Sequence, residues 1–342
     1  MNIFPWSWVT KNLDPNVTNA LVFVHGFNVT SSDATGEFGE AYKRAYWQGF
    51  RGNFIGFSWY GDPPPVVSST GNGSPLSPAN FDGAVQNALE TAGTFLNFVQ
   101  VLETPNSAGG EGIPANNVNV MAHSLGNLVV WDALRIEKAL GGSPVINNLV
   151  DVESAVWADA FTPLTPITLP SPPAAPTALT VQDLRIDSWL GYFVPTGGLG
   201  STTLGNVINS YYGADGALQL ERDNDFLFNG TDKAHPVQPP TFAPPVAPAP
   251  PRDDTNLWNT PSIWSEYWNE HDSNVSVGRA IGMMQNPAAN VNVDASLYGW
   301  GNADSTDPLH HSDFLDEPYP DIYAWWQTIL ARGVPVGQQR GM

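Results

Sequence analysis

From Ala20 the chain reads Leu21-Val22-Phe23-Val24, an unbroken apolar run that stops at His25-Gly26-Phe27-Asn28. A short apolar run with no polar alternation predicts a strand buried on both faces, as in a parallel sheet covered by helices. A second run, Phe54 to Trp59, predicts another strand that ends at Tyr60-Gly61-Asp62 and a string of prolines. The period then changes. Phe81, Val85, Leu89, Ala92, Phe95, Leu96 and Val99 recur at helical spacing, so Phe81 to Glu103 predicts an amphipathic helix lying on the sheet. Asn117 to Ala122 predicts a strand that runs through His123-Ser124-Leu125-Gly126 into a helix marked by Leu128, Trp131, Leu134 and Leu140 and stopped by Gly141-Gly142. Further strands are predicted at Leu149 to Trp157, Asn206 to Tyr211 and Val291 to Val293, with a last helix through Ile322, Trp325, Trp326, Ile329 and Leu330. Strands alternating with helices predict an α/β fold: a doubly wound, mostly parallel sheet flanked by helices.

Two segments interrupt the alternation, 161–180 and 232–256, where prolines are too dense for a helix or an interior strand. They are expected to run over the surface or to cover a site. Because the Val291 strand and the histidines at 310 and 311 lie beyond the second segment and complete the sheet pattern, residues 1–342 read as one α/β domain with insertions.

Composition narrows the chemistry. The 342 residues are 42% hydrophobic, with 13 Trp and 16 Phe, enough for a substantial core. There is no Cys, which excludes disulfides, a thiolate nucleophile and Cys-held metal clusters. With 13 Lys plus Arg against 33 Asp plus Glu, the net charge of −20 argues against nucleic acid or an anionic membrane as partner, since both require a basic surface. No run approaches the length of a membrane span, and Met1 to Thr10 lacks the basic start and apolar run of a signal peptide. A cytoplasmic protein or a mature secreted form is expected.

The most specific motif is Ala122-His123-Ser124-Leu125-Gly126 between a predicted strand and a predicted helix. It has the form of the nucleophile elbow G-x-S-x-G, with Ala in the first small-residue position. Such a turn exposes the Ser oxygen, and the following helix offers backbone N–H groups and a positive dipole end to developing negative charge. An ordinary turn with Ser as N-cap is the plain alternative. The loop His25-Gly26-Phe27-Asn28, at the end of an earlier strand, favours catalysis because the Phe27 N–H can face that of Leu125 across an oxyanion. His25 itself reads as a structural hydrogen-bonding residue.

A nucleophilic Ser requires a base, and the chain has six His: 25, 123, 235, 271, 310 and 311. On this fold the triad runs Ser, acid, His, which removes the first two. His235 sits among prolines and His271 has no clear strand before it, whereas His310-His311-Ser312-Asp313 lies between the last strand and the last helix. His311 is the preferred base. Asp215, just past the Asn206 to Tyr211 strand, is the preferred acid, and Asp159 is the rival. No metal site is expected, because the adjacent histidines lack the i, i+4 spacing of a zinc helix and Asp223-Asn224-Asp225 has the wrong register for a calcium loop. With neither G-x-G-x-x-G before a helix nor a Walker loop, no nucleotide cofactor is expected.

At these motifs the chain resembles the α/β-hydrolases and, within that fold, is similar to a bacterial family of unknown substrate. The hallmarks of that family are an HGFN-type loop, an FSWP-like strand end, an HSMGN-type elbow and a late HS-[DY]-F motif. They read here as His25-Gly26-Phe27-Asn28, Phe57-Ser58-Trp59-Tyr60, His123-Ser124-Leu125-Gly126-Asn127 and His311-Ser312-Asp313-Phe314. The resemblance extends from about residue 20 to 330. It implies Ser124 as nucleophile, His311 as base, Asp215 as acid, and Phe27 and Leu125 as oxyanion donors. Tyr60, where the family has proline, and the two proline-rich segments are departures. The expected activity is a cofactor-independent serine hydrolase of carboxylic esters, esterase- or lipase-like, acting through an acyl-enzyme on a small-molecule or lipid-like ester. Acyl transfer on the same triad, or a non-catalytic binding protein on the same fold, are the alternatives.

Overall fold

A computed structural model of the chain describes residues 13–14, 16–61, 78–156, 203–212, 215, 217–218, 291–301, 310–315 and 320–333. The proline-rich segments at 161–180 and 232–256, with Trp157, Asp159, His235 and His271, lie outside the described residues. In chain order the elements are β1 (Ala20–Val24), α1 (Ser31–Trp47), β2 (Asn53–Phe57), α2 (Pro78–Glu103), β3 (Val118–His123), α3 (Gly126–Ala139), β4 (Asn148–Val152), β5 (Val207–Tyr211), β6 (Val291–Asp294) and α4 (Pro320–Gly333). The six strands form one sheet in the order β2-β1-β3-β4-β5-β6, and every neighbouring pair is parallel.

The apolar runs become strands because both sheet faces are covered. On one face Ala20, Val22, Val24, Val118, Val120 and Leu149 pack with α2 and α3 residues such as Phe95 and Trp131. On the other, Leu21, Phe23, Met121, Val150 and Ile208 pack with Ala41 and Ala45 of α1 and with Trp325, Trp326 and Ile329 of α4. Alternate residues of one strand thus enter opposite layers, so a strand such as β1 is apolar throughout. Among the described residues, no helix is long and apolar enough to cross a membrane.

The structure adds α1, which the apolar pattern did not predict. It is started by a capping box: Asp33 N–H donates to Thr30 Oγ1 at 3.2 Å, and Thr30 N–H to Asp33 Oδ2 at 3.4 Å. Its sheet-facing side uses small residues, Ala34, Ala41 and Ala45, with Phe38 between them, a stripe too weakly apolar to stand out from its polar neighbours. Boundaries also differ. β2 ends at Phe57, so Ser58 and Trp59 lie just past the strand. β4 ends at Val152 because Glu153 turns into the left-handed region (φ 42°), which extended backbone cannot continue through.

The chain order reverses between β1 and β3, since β1 is followed by its neighbour on one side and β3 lies on the other. In open parallel sheets the carboxyl ends at such a reversal form the crevice in which ligands bind. The His25–Asn28 loop leaves β1 there, and Ser124 follows β3.

Candidate active site

Ser124 sits one residue past β3 with φ 51°, a left-handed conformation uncommon for a residue with a Cβ. Its backbone is pinned on both sides. Ser124 N–H donates to Val152 O at 2.9 Å, while Ser124 O accepts from Asn127 N–H at 3.1 Å and Ala155 N–H at 3.2 Å. Asn127, fully buried, adds its side-chain amide, which donates to Ala122 O and Ser124 O, each at 3.0 Å. Such a turn holds strain that the surrounding bonds must sustain. Asn127→Ala removes these donors and is expected to cost about 1–3 kcal/mol of stability, measurable as a lower urea midpoint.

Close approach of two loops also requires glycine at two places. A Cβ on Gly126 would strike the carbonyl oxygen of His25 and come within 2.8 Å of Val24 O; one on Gly26 would lie 2.8 Å from Ser124 Cβ. The HGFN loop therefore presses directly on the elbow. Ser124 Oγ makes no hydrogen bond to a described residue, and the Leu125 N–H has no acceptor among the described residues. Leu125 immediately precedes α3, so its N–H and the start of the helix present positive partial charge beside the serine.

The structure joins Asp215 to His311. His311 Nδ1 donates to Asp215 Oδ2 at 2.6 Å, and the other Asp215 oxygen accepts Leu218 N–H at 2.8 Å. Asp215 is completely buried and His311 largely so, which strengthens the charge-assisted bond between them. His311 is tied to the elbow through its neighbour in the chain fold: His123 Nε2 donates to His311 O at 3.0 Å, with the two rings 4.7 Å apart. Burial, reinforced by the nearby His311, holds His123 well below the usual imidazole range, so it stays neutral and does not compete for positive charge. Ser124 follows β3 at the same carboxyl edge, next in the chain to His123, whose ring binds the His311 carbonyl.

His25 takes a structural part. Its Nδ1 donates to Gly26 O at 2.9 Å, its Nε2 accepts from Trp59 N–H at 3.2 Å, and its ring stacks on Trp59 at 5.7 Å. Trp59 returns a bond from Nε1 to His25 O at 2.7 Å, so the residues after β2 brace the HGFN loop. Burial lowers the His25 imidazole below its ordinary value, which keeps it neutral. His310 is half-buried and pairs through Nδ1 with Asp313 Oδ2 at 3.2 Å.

Two acidic residues near the site escaped the sequence analysis. Glu37 on α1 lies close enough to His311 for their charges to interact, and burial pushes its carboxyl up to about 7. Glu153, at the end of β4, is completely buried beside Asp215. The one signal for Glu153 is an acid where β4 meets the edge that bears the serine; nothing local marks it. α1 also anchors the histidine segment, since buried Arg44 donates from Nη2 to Leu315 O at 2.8 Å. No cluster of His, Asp or Glu among the described residues has the arrangement of a metal site.

Residues 6–162 match the family described as "Alpha/beta hydrolase of unknown function (DUF900)". No curated protein matches the chain. Two solved structures of an esterase from Pyrobaculum calidifontis are similar to it. The monoclinic form is 14% identical with a TM-score of 0.27 over 57% of each chain. The structure described as a hyperthermophilic esterase from that archaeon is 15% identical with a TM-score of 0.28, over 58% of this chain and 57% of that one. The chain thus spans little more than half the length of the esterases it matches. Over residues 6–162, which include the first strands of the parallel sheet and the left-handed serine at the β3–α3 turn, the chain is similar to α/β-hydrolases of unknown function.

Proposed function

We propose that the protein is a serine hydrolase of carboxylic esters, with Ser124 as nucleophile, His311 as general base and Asp215 as the acid. The observation that carries this reading is the 2.6 Å bond from His311 Nδ1 to buried Asp215, formed beside a left-handed serine elbow at one edge of the sheet. With its proton on Nδ1, the imidazole has its lone pair on Nε2, the form that accepts a proton from a serine hydroxyl. Substrate binding brings the Ser124 hydroxyl and this nitrogen into contact, a tightening common in sites of this kind.

Ser124 Oγ then attacks the ester carbonyl as its proton passes to His311, and Asp215 stabilises the imidazolium. The carbonyl oxygen becomes an oxyanion that accepts the Leu125 N–H and the Phe27 N–H. Collapse of the tetrahedral intermediate breaks the ester C–O bond, and His311 returns its proton to the leaving alcohol. Water repeats the sequence on the acyl-enzyme, releasing the carboxylic acid and restoring Ser124. The proton taken from Ser124 leaves with the alcohol and one from water restores the serine hydroxyl, so the cycle closes without a cofactor.

The test is labelling with a fluorophosphonate, in which an activated serine oxygen bonds to phosphorus and displaces fluoride. Wild-type protein is expected to take up one label at Ser124, located by peptide mass spectrometry, and Ser124→Ala none. Equal labelling of both, or none of either, would overturn the assignment.

A further inference from the structure

The acid of the site is accompanied by a second carboxyl. Glu153 and Asp215 meet at the Tyr212 backbone, where Glu153 Oε2 accepts the N–H and the Asp215 N–H donates to the carbonyl, each at 3.1 Å; the two carboxyls are adjacent and have no exposed surface. A hydrogen bond between two carboxyl groups requires one proton, because two carboxylates offer only acceptors. The surrounding donors decide where it resides. Asp215 receives two, His311 Nδ1 on Oδ2 and the Leu218 N–H on Oδ1. Glu153 receives one, the Tyr212 N–H on Oε2 at 3.1 Å, and its Oε1 is buried with no protein donor. The carboxyl that accepts more donors keeps the charge and the other keeps the proton.

Resting on the reading of Asp215 as the acid, we infer that Glu153 is a positioning residue: a neutral carboxylic acid that donates its O–H to Asp215, fixing that carboxylate toward His311 and leaving a single negative charge on the pair. The groups facing Glu153 agree. Asp215 arrives from the segment after β5, bonded to His311, and Asp313 from the turn after the histidines, paired with His310, both acidic, together with the Tyr212 phenol. Burial and the adjacent Asp215 and Asp313 accordingly hold the Glu153 carboxyl well above the usual range. The backbone turns out of β4 to deliver this side chain, at φ 42° and with Glu153 N–H bonded to Ser210 O at 3.1 Å.

The inference differs from a structural role in what it predicts for charge. Glu153→Gln replaces a neutral O–H donor by a neutral N–H donor, so the rate of fluorophosphonate labelling is expected within about threefold of wild type, with the midpoint of its acid limb unmoved across about pH 5–8. Glu153→Ala removes the donor and is expected to slow labelling about tenfold or more. If Glu153 were a second carboxylate, Glu153→Gln would remove a negative charge that favours the imidazolium. The acid limb would then move to lower pH, and that shift would overturn the inference. The midpoint is read on whatever fraction folds, so lost stability does not blur it. The infrared spectrum at pH 7 supplies the second readout: wild type minus Glu153→Gln must contain the C=O stretch of a protonated carboxylic acid, and a carboxylate band in its place overturns the inference too. Absence of Ser124 labelling in the wild type would instead sink the hydrolase reading itself, which separates the two failures.

Discussion

Replacing Asp215 by Asn is expected to lower the turnover of an activated phenyl ester by about 10⁴-fold while leaving the fold intact. Asp215 Oδ2 accepts the His311 Nδ1–H at 2.6 Å in a fully buried position, and an amide can turn its NH₂ toward that nitrogen instead. The imidazole would then hold its proton on Nε2 and have no lone pair for the serine hydroxyl. The imidazolium would also lose its counter-charge. The Leu218 N–H can still be accepted by the amide oxygen, so the local turn survives. Steady-state kinetics with circular dichroism as control check this. A loss below about tenfold would mean that another carboxylate supplies the charge, and Asp159→Asn would then show the larger defect.

Trp325→Ala carries the largest expected cost in stability, about 3–5 kcal/mol. This side chain has no exposed surface and fills the layer between α4 and the sheet, with ring contacts to Trp300 at 5.1 Å, Trp326 at 5.2 Å and Phe314 at 5.8 Å. Its Nε1 donates to buried Ser210 Oγ at 2.9 Å on β5, so truncation opens a cavity and leaves a polar group unpaired. Activity should fall as well. Phe314, which Trp325 supports, packs edge-on to His123 at 5.0 Å three residues after the proposed base. Urea unfolding followed by tryptophan fluorescence measures the loss, and Trp325→Phe, which keeps a ring but not the N–H, should give back most of it. A midpoint within error of wild type for Trp325→Ala would refute this account of the core.

The parts of the fold legible in the sequence are those with strong local signals. β1 is apolar at every position because α1 covers one face and α2 the other, and such a run is visible without knowing its partners. The serine elbow was visible because the close approach to His25 O excludes any side chain at position 126. Chain order, with position after a predicted strand, pointed to Asp215 and His311, with Asp159 as rival, and the first two are hydrogen-bonded. α1 was missed because alanines on its buried side carry little hydropathy, although Thr30 and Asp33 form a capping box at its start. Glu153 escaped for a different reason: its meaning resides in Asp215 and Tyr212, more than fifty residues later, and an isolated Glu at a strand end reads as solvated.

The bond from His123 to the backbone of His311 spans 188 positions of the chain. During synthesis the serine turn emerges long before the base, and the first three strands can pair with one another while His311 is still to come. A nascent chain in that state holds the proposed nucleophile as an ordinary alcohol. On the proposed mechanism, competence as a catalyst is therefore acquired late in folding, when β5, β6 and α4 have closed the far edge of the sheet.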